Sequence, residues 1–380
     1  MHKKMRNTTM SDFREWDRKF RDQDFYAFNN DNDGLLWLKV RAVSRSRQMR
    51  EFLYQNSLHL ESERIREREV ELLQRLRNMD DAIGRLDSFL RDLSNEWYNG
   101  MGIDVERLKD DLYKVRQYSW GGDRSNSLDK YLVDRYVKVI SDYDALVDKG
   151  QEIAENSWKY VQTSWYNNWS SYLIESLFKR HKRVVSAVGE IKSVDFFIDG
   201  YPIDLKVTFF PNQYLEEKIK ERRGMPELTW LKQEAMKVGV TTDNSFSKSQ
   251  QEYSITEKLS ELGRKEILDD LRRVRKEVVL NAMNNNNSID LMTWLYSHQG
   301  ERRFGAENRL YIILVDLTDI RQSWKMKRAF ALIEPCVKDY LDNFNEESLK
   351  RIEFSFKERK YRALSDVIFV IKDYAPENVD

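Results

Sequence analysis

Three side chains suited to metal-assisted phosphate cleavage lie close together in the sequence: Asp195, Asp204 and Lys206. Hard divalent cations such as Mg²⁺ bind one or two carboxylates together with water and phosphate oxygens. A lysine ammonium group beside such a cation can hold an attacking water molecule or a phosphate oxygen. These residue types therefore indicate phosphodiester hydrolysis, provided that the fold brings them to one surface.

Residues 193–208 predict a β-hairpin that brings them together. Asp199-Gly200 is the dipeptide that best supplies the positive φ angles of a two-residue type I′ turn. Pairing outward from this turn places Asp195 opposite Asp204, with Lys206 on the same face. The opposite face is apolar or aromatic, and its residues are Val194, Phe196, Ile198, Tyr201, Ile203, Leu205 and Val207. This segregation of side chains fixes the register of the hairpin.

The facing carboxylates of Asp195 and Asp204 are predicted to repel each other. Directly opposed side chains have Cβ atoms roughly 5 Å apart, and like charges there destabilise the sheet and raise a carboxyl pKa. A bound divalent cation would remove the repulsion. We therefore expect Asp204→Ala to leave the metal-free protein as stable as before, or more stable. The alternative is an ordinary amphipathic hairpin whose acids face solvent.

The pattern Asp195…Asp204-Leu205-Lys206 resembles the signature of the PD-(D/E)XK nuclease superfamily. In that superfamily a first acid ends one strand, and a D/E-x-K triplet follows on the next. The chain departs from the commoner pattern by having Val194 in place of proline and Asp rather than Glu in the triplet. The resemblance implies a Mg²⁺ ion (or Mn²⁺) bound by Asp195, Asp204 and the Leu205 carbonyl.

A third acid is expected from the helix that precedes the hairpin, predicted over residues 157–180. Glu175 lies in its apolar run, at the place where the superfamily often supplies an acid to the metal site. A buried carboxylate is costly unless it is paired or bound to a metal. The alternative is a partly exposed Glu175 that pairs with Lys179 one helical turn away. Glu190 is a second candidate for the third ligand.

Two groups of basic residues are candidates for contacts with a phosphate backbone. The first closes the predicted helix and comprises Lys179, Arg180, Lys182 and Arg183, with His181 between them. The second is the pair Arg302 and Arg303 in a glycine-flanked loop. A solvated helix C-terminus, where cations favour the helix dipole, explains the first group equally well.

Composition excludes several other classes of protein. Lysine plus arginine and aspartate plus glutamate are equal at 64 each among 380 residues, so attraction to nucleic acid must be local. Cys336 is the only cysteine, and the four histidines are scattered, which argues against disulfides and zinc sites. The sequence has no apolar run that approaches a membrane span and no N-terminal signal core. A cytoplasmic location is expected.

The predicted fold class is α/β. Strands are predicted at 184–189, 193–198, 201–208, 309–317 and 367–371, which form a restriction-endonuclease-like mixed five-stranded sheet flanked by helices. An all-α N-terminal domain is predicted over 1–155, and the nuclease-like domain over 156–380 with a helical insert at about 210–300. Apolar residues between Leu72 and Trp97 alternate by three and four, which predicts a coiled-coil-like arm at about 60–98. The arm would pack within one chain, form a homodimer or bind a partner protein.

Taken together, these features predict a Mg²⁺-dependent endonuclease that hydrolyses DNA. The helical arm and the insert favour a restriction-type or anti-phage defence enzyme by analogy. Two alternatives remain open. One is a nuclease of the same fold that cleaves RNA, and the other is a catalytically silent scaffold that acts through its helical arm.

Overall fold

The chain folds as a mixed α/β protein. The structure, a computed structural model, describes residues 2–29, 31–120, 127–188, 191, 193–299 and 304–373. Nine α-helices precede the sheet in the described part of the chain. They are α1 His2–Arg21, α2 Asn32–Ala42, α3 Ser46–Gln55, α4 Ile65–Arg77, α5 Ala82–Gly100, α6 Val105–Leu112, α7 Leu128–Leu132, α8 Tyr143–Asp148 and α9 Gly150–Lys179. A 3₁₀ turn at Phe25–Phe28 and a π-helical segment at Val133–Val137 connect some of them.

A six-stranded mixed sheet follows α9. Its strands are β1 Val184–Ser186, β2 Phe196–Ile198, β3 Tyr201–Phe209, β4 Arg309–Asp316, β5 Lys350–Phe356 and β6 Arg359–Lys372. The spatial order is β1-β2-β3-β4-β6-β5. Strands β1 to β3 form an antiparallel meander, β3, β4 and β6 run parallel to one another, and β5 is antiparallel to β6. Its central strand β4 is buried over its whole length.

Among the described residues, five α-helices lie between β3 and β4, and one long helix lies between β4 and β5. The first five are α10 Asn212–Arg223, α11 Glu227–Lys237, α12 Lys248–Glu261, α13 Lys265–Ala282 and α14 Asn285–Ser297. The later helix is α15 Phe330–Asn343, with 3₁₀ turns at Ile320–Arg328 and Glu346–Ser348 beside it. The stretch predicted to be a helical insert is therefore helical throughout most of its length.

The two faces of the sheet are covered by different helices. Leu205, Leu310 and Ile368 lie on the face that packs against α9 and α15. The other face carries Tyr311, Ile313 and Val315, and it packs against α10, α13 and α14 of the insert. A third core joins the N-terminal helices to β1 and β2 through Val185 and Phe197. The sheet is thus enclosed on both faces, as expected for strands that read as continuous apolar runs.

The predicted sheet was correct in its central strands and incomplete at its edge. The structure adds β5, which the sequence analysis did not predict, and it extends the last strand back to Arg359. A two-residue turn at Lys357 and Glu358, both with positive φ (45° and 65°), joins these strands. The first strand ends at Ser186 rather than 189, and residues 189 and 190 lie outside the described part of the chain.

The predicted coiled-coil arm is not one continuous helix. It is interrupted between Arg77 and Ala82, where Asp81 has a positive φ of 54°, and it continues as a second helix. Leu72 and Leu76 of α4 and Leu86 and Leu90 of α5 are all buried in the N-terminal core of the same chain. The alternation by three and four therefore reflects packing within one chain along this stretch.

Candidate active site

The predicted hairpin is present with the predicted turn, and the predicted register holds for the three residue pairs beside it. Strand β2 begins at Phe196 rather than 193, so Asp195 and Asp204 do not form the directly opposed pair that was predicted. Asp199 and Gly200 have φ angles of 46° and 92°, and Ile198 pairs with Tyr201. Arg183 holds the turn from outside, because its Nε donates to the Asp199 carboxylate at 2.9 Å and one of its Nη atoms donates to the Leu341 carbonyl at 3.0 Å. The turn is therefore tied to the end of α15.

A β-bulge at Asp195 modifies the predicted face pattern. The Asp195 N–H donates to the Ile203 carbonyl at 2.8 Å, although Ile203 already pairs with Phe196. Asp195 and Phe196 then both lie opposite Ile203 of β3, and this extra residue shifts the alternation of side chains before it. Val194 consequently packs in the N-terminal core with Phe197, not with Phe196 as predicted. The other predicted apolar residues of the hairpin do share one core.

The bulge directs the Asp195 carboxylate along the hairpin. Its Oδ2 accepts a hydrogen bond from the Leu205 N–H at 2.8 Å. Burial raises the pKa of Asp195, and the negative charge of Glu175 raises it further, whereas the Leu205 N–H, Lys206 and Lys179 oppose the rise. Asp195 therefore lies within electrostatic reach of both the acid on α9 and the lysine on β3.

Asp204 is almost completely buried and is flanked by two cations. Its Oδ1 accepts a hydrogen bond from Lys206 Nζ at 2.7 Å, and its Oδ2 accepts one from Arg309 Nε at 3.1 Å. Burial raises the pKa of the Asp204 carboxyl group, as does the charge of Asp195, while Lys206 and Arg309 lower it. The charge of Asp195 thus acts on Asp204, and the positive charge of Arg309, which was not predicted, opposes that effect.

Arg309 is a buried charged residue of the candidate site that the sequence analysis missed. It begins β4 and pairs in register with Asp204, with 6% of its side chain exposed. Its other nitrogen atoms donate to Gln299 Oε1 at 2.6 Å and Glu307 Oε2 at 2.8 Å. An arginine at the start of an otherwise apolar strand is the signal that would have indicated it, because a buried guanidinium group needs carboxylate partners.

Glu175 occupies the predicted side of the site and makes a different contact from the one expected of a metal ligand. It forms an ion pair with Lys179, and about a third of its side chain (32%) is exposed. This is the alternative that the sequence left open, a partly exposed Glu175 paired with the lysine one turn along α9, and not the buried acid of the metal-site prediction. Its charge still acts on Asp195.

The donor set fits a small hard cation only in part. Asp204 supplies a buried carboxylate and Asp195 a partly buried one, and the charged forms of both are disfavoured, which is what a cation would correct. Against this, both oxygens of Asp204 already accept hydrogen bonds. Within residues that the structure describes, no cluster of three or more His, Cys, Asp or Glu side chains is arranged to hold a metal ion. Glu190 lies outside those residues.

The predicted phosphate-binding residues separate into two kinds. Lys179 and Arg183 are engaged with Glu175 and Asp199, respectively. Arg180 and Lys182 are exposed to solvent at the same end of α9. Arg302 and Arg303 lie outside the described residues. The structure thus leaves Arg180 and Lys182 as the accessible cations of the first predicted group.

The site lies where three parts of the chain meet. Asn29, between the first two helices of the N-terminal core, exchanges side-chain hydrogen bonds with Asn308 at 2.6 and 3.3 Å. The Asn308 carbonyl accepts the Asp204 N–H at 2.8 Å. Tyr296 of α14 packs under the Arg309 guanidinium group, 5.1 Å from its ring centre. The N-terminal part of the chain is therefore joined to Asp204 through Asn308, and the insert is joined to it through Arg309.

Comparison with known proteins identifies no relative. No protein-family model matches the chain, and neither the curated proteins nor the solved structures yield a match. Among the helices of the described residues, none combines the length and apolar character needed to cross a membrane.

Proposed function

We propose that the chain is a metal-dependent nuclease that hydrolyses DNA phosphodiester bonds at the Asp195–Asp204–Lys206 site. The observation that carries the proposal is the contact between Lys206 and Asp204 (2.7 Å), with Asp195 in electrostatic reach of both. An acid pair with a lysine on one hairpin is the arrangement implied by the resemblance to PD-(D/E)XK nucleases. No comparison with a known protein adds to this support.

The order of elements also supports the proposal. Helix α9 precedes a three-stranded meander, the insert helices follow, and then come β4, α15 and β6. This is the order that the resemblance implies for the α/β core with a long insert after the third strand. A restriction-type or anti-phage defence role rests on analogy with that superfamily. The cytoplasmic location stays a prediction from the sequence.

Each residue of the candidate site has a separate role in the proposed hydrolysis. Asp195, Asp204 and the Leu205 carbonyl would hold Mg²⁺ or Mn²⁺, and Glu175 would join them on release from Lys179. Such an ion supplies a water molecule of lowered pKa and neutralises charge on the phosphate. Lys206, whose side chain is 45% exposed, reaches solvent above Asp204 and would bind a non-bridging phosphate oxygen. Its charge then stabilises the transition state electrostatically. Arg309 holds the Asp204 carboxylate in position through a buried hydrogen bond.

A catalytically silent scaffold is the second candidate, and a specific observation favours it. Both Asp204 carboxylate oxygens accept hydrogen bonds, one from Lys206 and one from Arg309. These three side chains would then be a structural ion network that joins β3 to β4. In that case the site would bind no metal ion. Cleavage of RNA rather than DNA is the alternative within the nuclease proposal, because the acids and the lysine recognise only the phosphate.

The proposal is tested by incubating the purified protein with plasmid DNA, single-stranded DNA and structured RNA, each with Mg²⁺, Mn²⁺ or EDTA. We expect metal-dependent DNA cleavage that is lost in EDTA and in Asp195→Asn, which keeps the side-chain shape. Metal-dependent cleavage of RNA alone would replace DNA as the substrate. Absence of cleavage of every substrate, with no Mg²⁺-induced change in stability, would support the scaffold.

A further inference from the structure

Four aromatic side chains form a continuous surface beside the candidate site. Trp97 and Tyr98 end α5, and Trp169 and Tyr172 lie on α9. Neighbouring ring centres are 5.0 Å apart for Trp97 and Tyr98, 5.4 Å for Tyr98 and Tyr172, and 5.5 Å for Trp169 and Tyr172. Trp97 is 51% exposed, although it contacts Tyr98 and, at 5.8 Å, Tyr172. The surface therefore presents the accessible indole ring of Trp97, which packs against the rings of Tyr98 and Tyr172.

This aromatic surface leads to Asp195 along one face of α9. Trp169, Tyr172, Glu175 and Lys179 follow one another at spacings of three, three and four residues, which places them in one row about 15 Å long. Burial raises the pKa of Tyr98, and the charge of Glu175 raises it further. The same Glu175 raises the pKa of Asp195 after burial does. Glu175 thus lies on the same face of α9 as Tyr172, within electrostatic reach of both Tyr98 and Asp195.

Exposed positive charge borders the same surface. The Arg180 guanidinium group lies 5.9 Å from the ring centre of Tyr98, and Lys182 is exposed two residues further on. Arg91 donates to the Lys182 carbonyl at 2.9 Å, which adds a third cation at this end of α9. The opposing charges nearby are Glu96, next to Trp97 in the sequence, and Glu175, which is paired with Lys179. Aromatic rings flanked by cations are the combination that binds a nucleic-acid strand through its bases and its phosphates.

We propose that the substrate reaches the site as a single strand, with unpaired bases stacked on Trp97 and its aromatic neighbours and phosphates bound by Arg180 and Lys182. Bases in a duplex are already stacked on each other, so an open aromatic face favours an unpaired strand. The inference rests on the proposed nuclease function, because it names the substrate of that site. Stacking does not distinguish DNA from RNA, and the experiment includes both.

The test measures binding without cleavage. Fluorescein-labelled single-stranded DNA, RNA of the same sequence and the corresponding DNA duplex are titrated with protein in EDTA, and anisotropy is recorded. We expect one of the single strands to bind at least tenfold more tightly than the duplex. Trp97→Ala should weaken that binding about tenfold, the scale for loss of one stacked base, and Trp97→Phe should restore most of it. Arg180→Ala should reduce the dependence of binding on salt.

Trp158→Ala is the matched control, because Trp158 is a 61% exposed tryptophan on the same helix, three turns (about 16 Å) before Trp169 along the helix axis and in the direction away from Glu175. Its binding should equal that of the wild type. Equal binding by wild type and Trp97→Ala, or tighter binding of the duplex, overturns the inference even if DNA is cleaved. Tight single-strand binding that depends on Trp97 but leads to no cleavage with Mg²⁺ contradicts the nuclease proposal instead and upholds the binding surface.

Discussion

Arg309 and Asp204 form a buried ion pair in the first row of paired residues between β3 and β4. Nε of Arg309 lies 3.1 Å from Oδ2 of Asp204, and the two side chains are 6% and 7% exposed. This ion pair changes the effect on stability that is expected when the Asp204 carboxylate is removed. The Arg309 guanidinium group offsets the repulsion between Asp195 and Asp204. It also determines how firmly Asp204 is held.

Asp204→Ala should destabilise the metal-free protein, contrary to the expectation from the sequence alone. The substitution leaves the Arg309 guanidinium group buried without one of its carboxylates, and breaking a buried pair typically costs about 3 kcal/mol. Urea unfolding with and without EDTA measures the change. Lys206→Ala is the control, since it removes the exposed partner of the same carboxylate and should cost less than about 1 kcal/mol. Equal stability of wild type and Asp204→Ala would show that Arg309 does not depend on Asp204.

Asp366 and Asp316 should respond to pH with opposite signs. Burial raises the pKa of Asp366 to about 6, against the hydrogen bond from the Val367 N–H at 2.8 Å. Because the folded protein then binds this proton more tightly than the unfolded chain does, its contribution to stability falls as pH rises from about 4 to above 6. Asp366→Asn should therefore raise the free energy of unfolding at pH 8, by on the order of 2 kcal/mol.

The control for that measurement is Asp316→Asn at the other end of the parallel strands. The Asp316 pKa is lowered: burial opposes the shift, and hydrogen bonds from Thr318 and Lys372 outweigh it. Its contribution to stability is present above the unfolded pKa and is lost as pH falls through the lower, folded pKa. Asp316→Asn should thus lower stability at pH 8. If Asp366→Asn also lowers it there, the carboxyl group of Asp366 is not held in a destabilised charged form.

The leucines of α4 and α5 should affect stability rather than association. Leu90 is completely buried in its own chain, so Leu90→Ala should cost about 2–5 kcal/mol of unfolding free energy. Ile83 is only partly buried against the same core. Ile83→Lys should leave the molar mass from light scattering unchanged. A wild-type dimer that Ile83→Lys converts to monomer would instead support the arm as an interface between chains.

The hairpin could be predicted because local chemistry determines it. Asp199-Gly200 supplies the positive φ angles of the turn, and strict alternation then specifies which residues face each other. The bulge could not be predicted in the same way, because it arises where the Asp195 N–H donates to the Ile203 carbonyl, out of the regular register. Sequence alternation carries no information about such a contact. One shifted hydrogen bond was enough to move Val194 to another core.

The features that sequence analysis missed have either no characteristic turn residues or a partner that is distant in the sequence. Lys357 and Glu358 adopt positive φ angles that sequence reasoning assigns to glycine or asparagine, so the β5–β6 hairpin carried no turn signal. Conversely, Met79 and Ile83 continue the heptad spacing through the break before α5, because both still pack on the N-terminal core. The importance of Arg309 depends on Asp204, which is distant in sequence and adjacent only after β3 and β4 pair.

Lys206 provides the most direct test of the central claim. Single-turnover cleavage of labelled DNA should be measured with Mg²⁺ for wild type and Lys206→Ala, and binding should be measured in parallel in EDTA. The nuclease proposal predicts that Lys206→Ala lowers the cleavage rate by on the order of a hundredfold or more, the scale for loss of a positioned electrostatic donor. Affinity should fall much less, because one phosphate contact among several is a small share of binding. A wild-type protein that cleaves with Mg²⁺ and a Lys206→Ala variant that cleaves at the same rate would contradict the assignment of this site.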